Sequence, residues 1–215
     1  KIAKELSEKR TLATGALSEG IVAKLSELGI KSGNFVVNIA HEEPGPKDGS
    51  FIVNDGKAVK FDENGIDKVE FYISTNAGEH PKPLVKVASG GEVSRVMLSL
   101  KSVLAGMDRI PVLVFDEIDT GISGRIAQKV GIALKSLSQF HQIIAITHLP
   151  QIAAYSDIHF SVQKFEQNGS TSTQINKLTP DDKINEIAKL ISGSEVTSAS
   201  LKSAKELIEG EGLFG

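Results

Sequence analysis

Pro111-Val112-Leu113-Val114-Phe115-Asp116-Glu117 is the stretch on which the reading turns. Four apolar residues in succession, with no polar alternation, predict a strand buried in a sheet that is covered on both faces. The two carboxylates that follow stand at its carboxyl end, the edge where open α/β sheets place their ligand sites. An aspartate there suits the ordering of Mg2+ in a nucleotide site. A second carboxylate beside it suits polarising a water as general base. The plain alternative is that Asp116-Glu117 merely opens the next helix.

The pattern repeats outward from this strand. A helix is predicted over Glu92–Ala105 before it, and a helix over Gly124–Leu137 after it. A second apolar strand, Gln142–Thr147, and a short helix, Pro150–Tyr155, come next. Apolar strands separated by helices predict a parallel sheet flanked by helices. The second strand ends Ile146-Thr147-His148. If it runs parallel to the first, His148 lies on the same edge as Asp116. There it can hydrogen-bond a terminal phosphate or an attacking water, although a lone histidine in that position is more often structural.

The helix before the first strand opens with Ala88-Ser89-Gly90-Gly91-Glu92-Val93-Ser94-Arg95. Ser89-x-x-Glu92 has the spacing of a capping box. The same geometry, with free amides and no side-chain bulk at Gly90 and Gly91, is also that of an anion site. Its dipole contributes about 0.3–1 kcal/mol when exposed and up to about 2 when partly buried. Such a loop recognises a phosphate held elsewhere rather than binding a nucleotide tightly by itself.

The flanks complete the outline. Leu6, Ala13, Leu17, Ile21, Leu25 and Leu28 recur at helical steps, and Gly29 ends the segment. This helix either packs on the core or is the returning end of a long coiled coil. Residues 35–75 read as β structure: a strand Phe35–Ile39, a polar loop His41–Ser50, a hairpin turning at Asp55-Gly56, a turn at Asn64-Gly65, and alternating Val69, Phe71 and Ile73. Asn168-Gly169 predicts another hairpin turn; with Ser170 it is formally a glycosylation triplet, read here only as a turn. Helices near Asp181–Ile191 and Val196–Glu209 close the chain. The fold class is α/β, a mostly parallel sheet flanked by helices, with an antiparallel portion and a coiled-coil-like helix at the start.

Taken together, the Ser-Gly-Gly-Glu helix, the strand with Asp-Glu, the Asp119-Thr120-Gly121 loop and the strand with His148 resemble the C-terminal half of an ABC-type ATPase head. Phe115-Asp116-Glu117-Ile118-Asp119-Thr120-Gly121-Ile122-Ser123-Gly124-Arg125 and Thr147-His148-Leu149-Pro150-Gln151-Ile152-Ala153 look like the RecN family of SMC-like bacterial DNA repair proteins. Residues 68–160 carry the resemblance. It implies that Ser89, Gly90, Gly91 and Glu92 are the signature motif, which contacts ATP held by a second head. It further makes Asp116 the Walker B aspartate that holds Mg2+ through water, Glu117 the catalytic glutamate, Asp119 a D-loop residue and His148 the switch histidine. Residues 1–30 become the stump of a coiled-coil arm and 31–215 the C-terminal lobe of the head. The implied partners are an N-terminal Walker A lobe at the other end of the arm, a second head and DNA. The implied role is ATP-driven head dimerisation in repair of double-strand breaks. Lys86, Arg95 and Arg125 lie near these motifs and read equally as site residues or as solvated charges. Transport ATPases usually continue Asp-Glu-Pro-Thr, which this chain does not; the head lobe of another SMC-like chromosome protein, or a non-enzymatic dimerisation lobe, are the alternatives.

A complete head of this kind needs Gly-x-x-x-x-Gly-Lys-[Ser/Thr] to cradle the phosphates. The chain's single Gly-Lys, Gly56-Lys57-Ala58, lacks the following hydroxyl and falls in the predicted hairpin. The chain alone is therefore expected to bind ATP weakly and hydrolyse essentially none. Its 215 residues are 40% hydrophobic and 24% charged, an ordinary globular composition. The net charge of −3 gives no global field toward nucleic acid. With no cysteine, no signal segment and no membrane-length apolar run, a cytoplasmic, nucleoid-associated location is expected. No Gly-x-Ser-x-Gly elbow or His-Glu-x-x-His pattern supports a serine hydrolase or a metalloenzyme.

Overall fold

A computed structural model describes residues 1–45, 51–87, 89–167, 170–193 and 195–210. Part of the polar loop (46–50), Ala88, and the turn residues Asn168 and Gly169 lie outside the described residues. The chain forms two compact units, Lys1–Leu104 and Ala105–Gly215.

In the first unit, α1 (Ile2–Glu27) is followed by Gly29 at φ +93°, a backbone that glycine adopts without steric cost. Strand β1 (Asn34–Ala40) pairs antiparallel with β4 (Lys68–Ser74), which also takes the short β5 (Lys82–Pro83) on its other edge. Between them β2 (Phe51–Asn54) and β3 (Lys57–Lys60) form a hairpin. Its turn residues Asp55 and Gly56 both have positive φ, 49° and 80°, the backbone an Asp-Gly turn favours because it matches the twist of the strands. The motif Gly56-Lys57 is thus spent on a hairpin. Helix α2 (Gly90–Leu104) begins at the glycine pair, two residues before the expected start. Ile21 and Leu25 of α1 meet Ile30, Phe35, Ile73, Val96 and Leu100 in one core. The earlier part of α1 is different: Ile2 and Leu12 are each 82% exposed.

What ties that exposed part down is polar. The Asp67 carboxylate, wholly covered, accepts from Ser7 Oγ at 2.5 Å and from Arg10 Nη1 at 2.9 Å, and lies 3.2 Å from His41 Nε2. Burial pushes this carboxyl's pKa up, but the hydrogen bonds from Ser7, Arg10 and His41 and the charge of Arg10 outweigh it, and the net shift is downward. The ionised form is therefore favoured by folding. Its contribution is complete above the unfolded value of about 4 and is lost as pH falls through the lower folded value. Asp67→Asn is expected to cost about 1–3 kcal/mol at neutral pH, the scale of lost hydrogen bonds to a charged group. It should also flatten the acid limb of stability. Chemical denaturation of both proteins at pH 7 and pH 3 checks this: the gap between them must shrink on acidification.

In the second unit, β6 (Val112–Phe115), α3 (Gly124–Leu137) and β7 (Gln142–Ala145) form a β-helix-β crossover. The two strands pair in parallel, from Val112↔Gln142 to Phe115↔Ala145. Then come α4 (Pro150–Ala153), an antiparallel hairpin of β8 (Phe160–Gln167) and β9 (Ser170–Lys177), α5 (Pro180–Ser192) and α6 (Ser198–Glu209). Thr179 with Asp182, and Thr197 with Ser200, cap α5 and α6 reciprocally, which sets their first residues. Ala153, Ala154, Ile187, Ala188 and Ala204 form the buried seam between α4, α5 and α6. Helices α3 and α4 approach so closely that a Cβ on Gly131 would lie 2.6 Å from the Tyr155 ring and 2.9 Å from the Gln151 carbonyl.

Two features depart from the expected sheet. Among the described residues only β6 and β7 pair in parallel, and every other strand pairing is antiparallel. The α3 segment supplies the long crossover that parallel pairing of β6 and β7 needs, whereas the short β2–β3 and β8–β9 turns can only make antiparallel hairpins. The parallel pair is also not covered on both faces. Leu113 is half-buried and Phe115 buried on one side, while Val112, Val114, Ile144 and Ile146 on the other are 41–64% exposed. No helix among the described residues is long and apolar enough to cross a membrane.

Candidate functional site

Parallel pairing brings the carboxyl ends of β6 and β7 to one edge, so Asp116-Glu117 and Thr147-His148 emerge side by side. The chain turns sharply on leaving β6. Asp116 Oδ1 accepts the Glu117 amide at 2.8 Å, and Glu117 takes φ +55°. A glutamate there carries about 1–3 kcal/mol of strain, of the kind that clusters at functional sites. The Glu117 carbonyl accepts from Thr120 N–H at 3.1 Å and the Asp119 carbonyl from Ile122 N–H at 3.4 Å. This coil sends Ile118 into the core, fully buried, and leaves both Asp116 and Glu117 exposed at the edge.

Asp119 is 5% exposed, and its Oδ2 is where the two loops meet. It accepts from Thr147 Oγ1 at 2.6 Å and from the His148 amide at 2.8 Å, and His148 Nδ1 stands 3.0 Å away. Thr147 Oγ1 in turn accepts from Leu149 N–H at 3.1 Å, bending the chain into α4. The Thr147 contact has no sequence signal, since the two residues stand 28 positions apart.

Ser89, Gly90, Gly91 and Glu92, expected to form the signature motif, belong to the first unit. Ser89 Oγ accepts the Glu92 amide at 3.4 Å, one half of the capping box. The Glu92 carboxylate instead accepts from Thr75 Oγ1 at 3.1 Å, tying the helix start to the end of β4. Ser89 and Gly90 are exposed and Gly91 buried. Arg95 is 6% exposed, so it is no solvated charge; burial lowers its proton affinity and the charge of Glu92 opposes that. Lys86 and Arg125 are exposed. Among the described residues no cluster of three His, Asp or Glu side chains could hold a metal by itself. Mg2+ does not require one, because it keeps several waters and takes one or two carboxylates together with substrate phosphates. The exposed Asp116 at a strand end fits that demand.

Compared with known proteins, the chain matches no family model. It is 40% identical over 193 residues to the DNA repair protein RecN of Halalkalibacterium halodurans, covering 90% of this chain and 32% of that protein. It is 39% identical over 207 residues to the DNA repair protein RecN of Bacillus subtilis, covering 96% of this chain and 36% of that one. The chain thus spans about a third of the length of the curated relatives it matches. Among solved structures, the Smc head domain with a coiled coil and joint from Pyrococcus yayanosii aligns at TM-score 0.54 and 19% identity. That alignment covers 84% of this chain and 30% of that one, and speaks for the fold alone.

Proposed function

We propose that the chain, a homologue of the DNA repair proteins named RecN, is the catalytic lobe of an ATPase head whose phosphate cradle lies elsewhere in the whole protein. The observation that supports this best is the shared edge of β6 and β7, with Glu117 held in a strained turn beside His148. Glu117 takes the proton of the attacking water, and His148 contacts that water or the terminal phosphate. Asp116 is the group this chain offers to Mg2+, which when bound neutralises charge on the phosphates. Ser89, Gly90, Gly91 and Glu92 face the nucleotide of a second head, so two heads close on two ATP molecules and hydrolysis releases them. Residues 1–30 continue into the arm.

Two partners follow. The apolar face of Val112, Val114, Ile144 and Ile146 receives the remainder of the protein, since a sheet face of four aliphatic side chains is not left to water in a finished head. DNA is the second, and the cellular role is repair of double-strand breaks in the cytoplasm.

The test is ATP hydrolysis by this chain alone, by the chain mixed with the remainder of the protein, and by the full-length protein. Turnover is expected in the last two and none above background in the first. Robust turnover by the chain alone would mean it holds its own phosphate cradle, and silence of the full-length protein would remove the ATPase reading altogether.

A further inference from the structure

We infer that Thr75 is a positioning residue: its hydroxyl, acting through the Glu92 carboxylate, fixes the first turn of α2 and with it the presentation of Ser89 and Gly90. What those two residues meet, the nucleotide of a second head, is taken from the ATPase reading above; the positioning is a property of the first unit by itself.

Thr75 Oγ1 donates to Glu92 Oε2 at 3.1 Å, and both residues are half-buried. The donor stands on a firm base. Thr75 directly follows β4, which β1 pairs over its whole length and β5 flanks on the other edge. Ile73 and Ser74 just before it are buried. Helix α2 is anchored further along by Val96 and Leu100, which share a core with Ile73. Those contacts set the helix axis, but they lie more than a turn beyond Glu92. The first turn itself opens with Gly90-Gly91, and glycine has the most backbone freedom to lose. Glu92 is the first residue after the pair with a side chain, and it is the one that is tied.

A chain of contacts therefore runs from the sheet to the exposed loop. Thr75 holds the Glu92 carboxylate, and the Glu92 amide donates to Ser89 Oγ at 3.4 Å. Threonine suits the task, because its β-branch restricts χ1 and keeps the hydroxyl aimed. Charge explains the division of labour within the motif. A phosphate would repel the Glu92 carboxylate, and the Thr75 hydroxyl draws that carboxylate to the end of β4. The Ser89 hydroxyl and the backbone at Gly90, both exposed, are left to face the anion. Glu92 thus serves the site by where it holds the loop, and Thr75 by where it holds Glu92.

The experiment has two parts. In this 215-residue chain, Thr75→Val keeps the side-chain shape and removes the donor, while Thr75→Ser keeps the donor. Deuterium exchange is read at the Glu92 and Val93 amides, both of which donate to Ser89. It should rise roughly tenfold in the valine variant, the worth of one hydrogen bond to a charged group, and return toward wild type in the serine variant. Unchanged exchange overturns the inference, and so does a rise shared by Val96–Leu100, which would mean general loosening. In the full-length protein, two mixed pairs of subunits are purified through separate tags. One pair carries Thr75→Val and Glu117→Gln in different subunits; the other carries both in one subunit beside a wild-type partner. If Thr75 serves the nucleotide of the opposite head, the first pair keeps one site free of lesions and the second keeps none. ATP turnover by the first should then exceed the second by roughly tenfold. The reverse order would mean that Thr75 serves its own head, and equal rates that it serves neither; either overturns the inference. No pairing or turnover by the wild type, or full turnover with Glu117→Gln alone, would instead remove the ATPase reading and leave the positioning to be decided by exchange.

Discussion

Glu117→Gln in the full-length protein is expected to slow ATP hydrolysis by about a hundred- to ten-thousand-fold, the usual worth of a positioned general base. In free energy that is roughly 3–5 kcal/mol of barrier. Glutamine keeps the shape of the side chain and its hydrogen-bonding reach but cannot take a proton from water. The backbone turn should survive, because it is held from outside the side chain: Asp116 Oδ1 binds the Glu117 amide at 2.8 Å and the Glu117 carbonyl binds Thr120. ATP should therefore still bind, and the paired heads should persist because the step that releases them is blocked. Single-turnover phosphate release, together with the size of the protein in ATP, reads both halves of this expectation. Glu117→Gly is the companion. At φ +55° glycine relieves strain, so that variant should be at least as stable as wild type and equally slow. Loss of rate with no loss of stability excludes unfolding as the cause. Turnover within tenfold of wild type in both variants would show that Glu117 is not the base.

The parts of this architecture that the sequence discloses are those in which a local pattern and a local cause coincide. Val112–Phe115 is a run of strand length rich in β-branched and aromatic residues, and Asp55-Gly56 can close a two-residue hairpin at φ 49° and 80° because those residue types tolerate it. The edge that gathers Asp116, Glu117 and His148 follows from two strands with one crossover between them. Other features lie beyond such reading because their causes are distant. Nothing near Glu92 indicates that its carboxylate is drawn to Thr75, 17 residues back. Asp119, Thr147 and His148 converge only once β6 and β7 are side by side. The left-handed turn at Glu117 is invisible for the opposite reason: glutamate is a poor residue for it, and its presence there is a choice made against local preference.

The exposed face of the parallel pair belongs to the same argument, because an apolar strand records burial in the finished protein rather than in one piece of it. Val114 stands opposite Ile144 on that face, 64% exposed, with Ile144 47% and Ile146 57% exposed. Covering such side chains contributes about 1.5–3 kcal/mol each when burial is complete. The chain spans about a third of its relatives' length, so in a protein as long as they are most of the molecule would be available to do the covering. Val114→Asp should then leave this chain folded, since the new carboxylate meets water. Docking of the remainder should suffer severely, because an ion would be buried among aliphatic groups with no partner. An uncompensated buried charge costs about 3–5 kcal/mol, which corresponds to more than a hundredfold in affinity. Val114→Thr, far milder, should fall between the two. Binding of the remainder by titration calorimetry, with thermal melting of the chain as control, separates these outcomes. An Asp variant that binds the remainder as tightly as wild type would mean that this face is covered by something else, and the two-lobed head would have to be assembled on another surface.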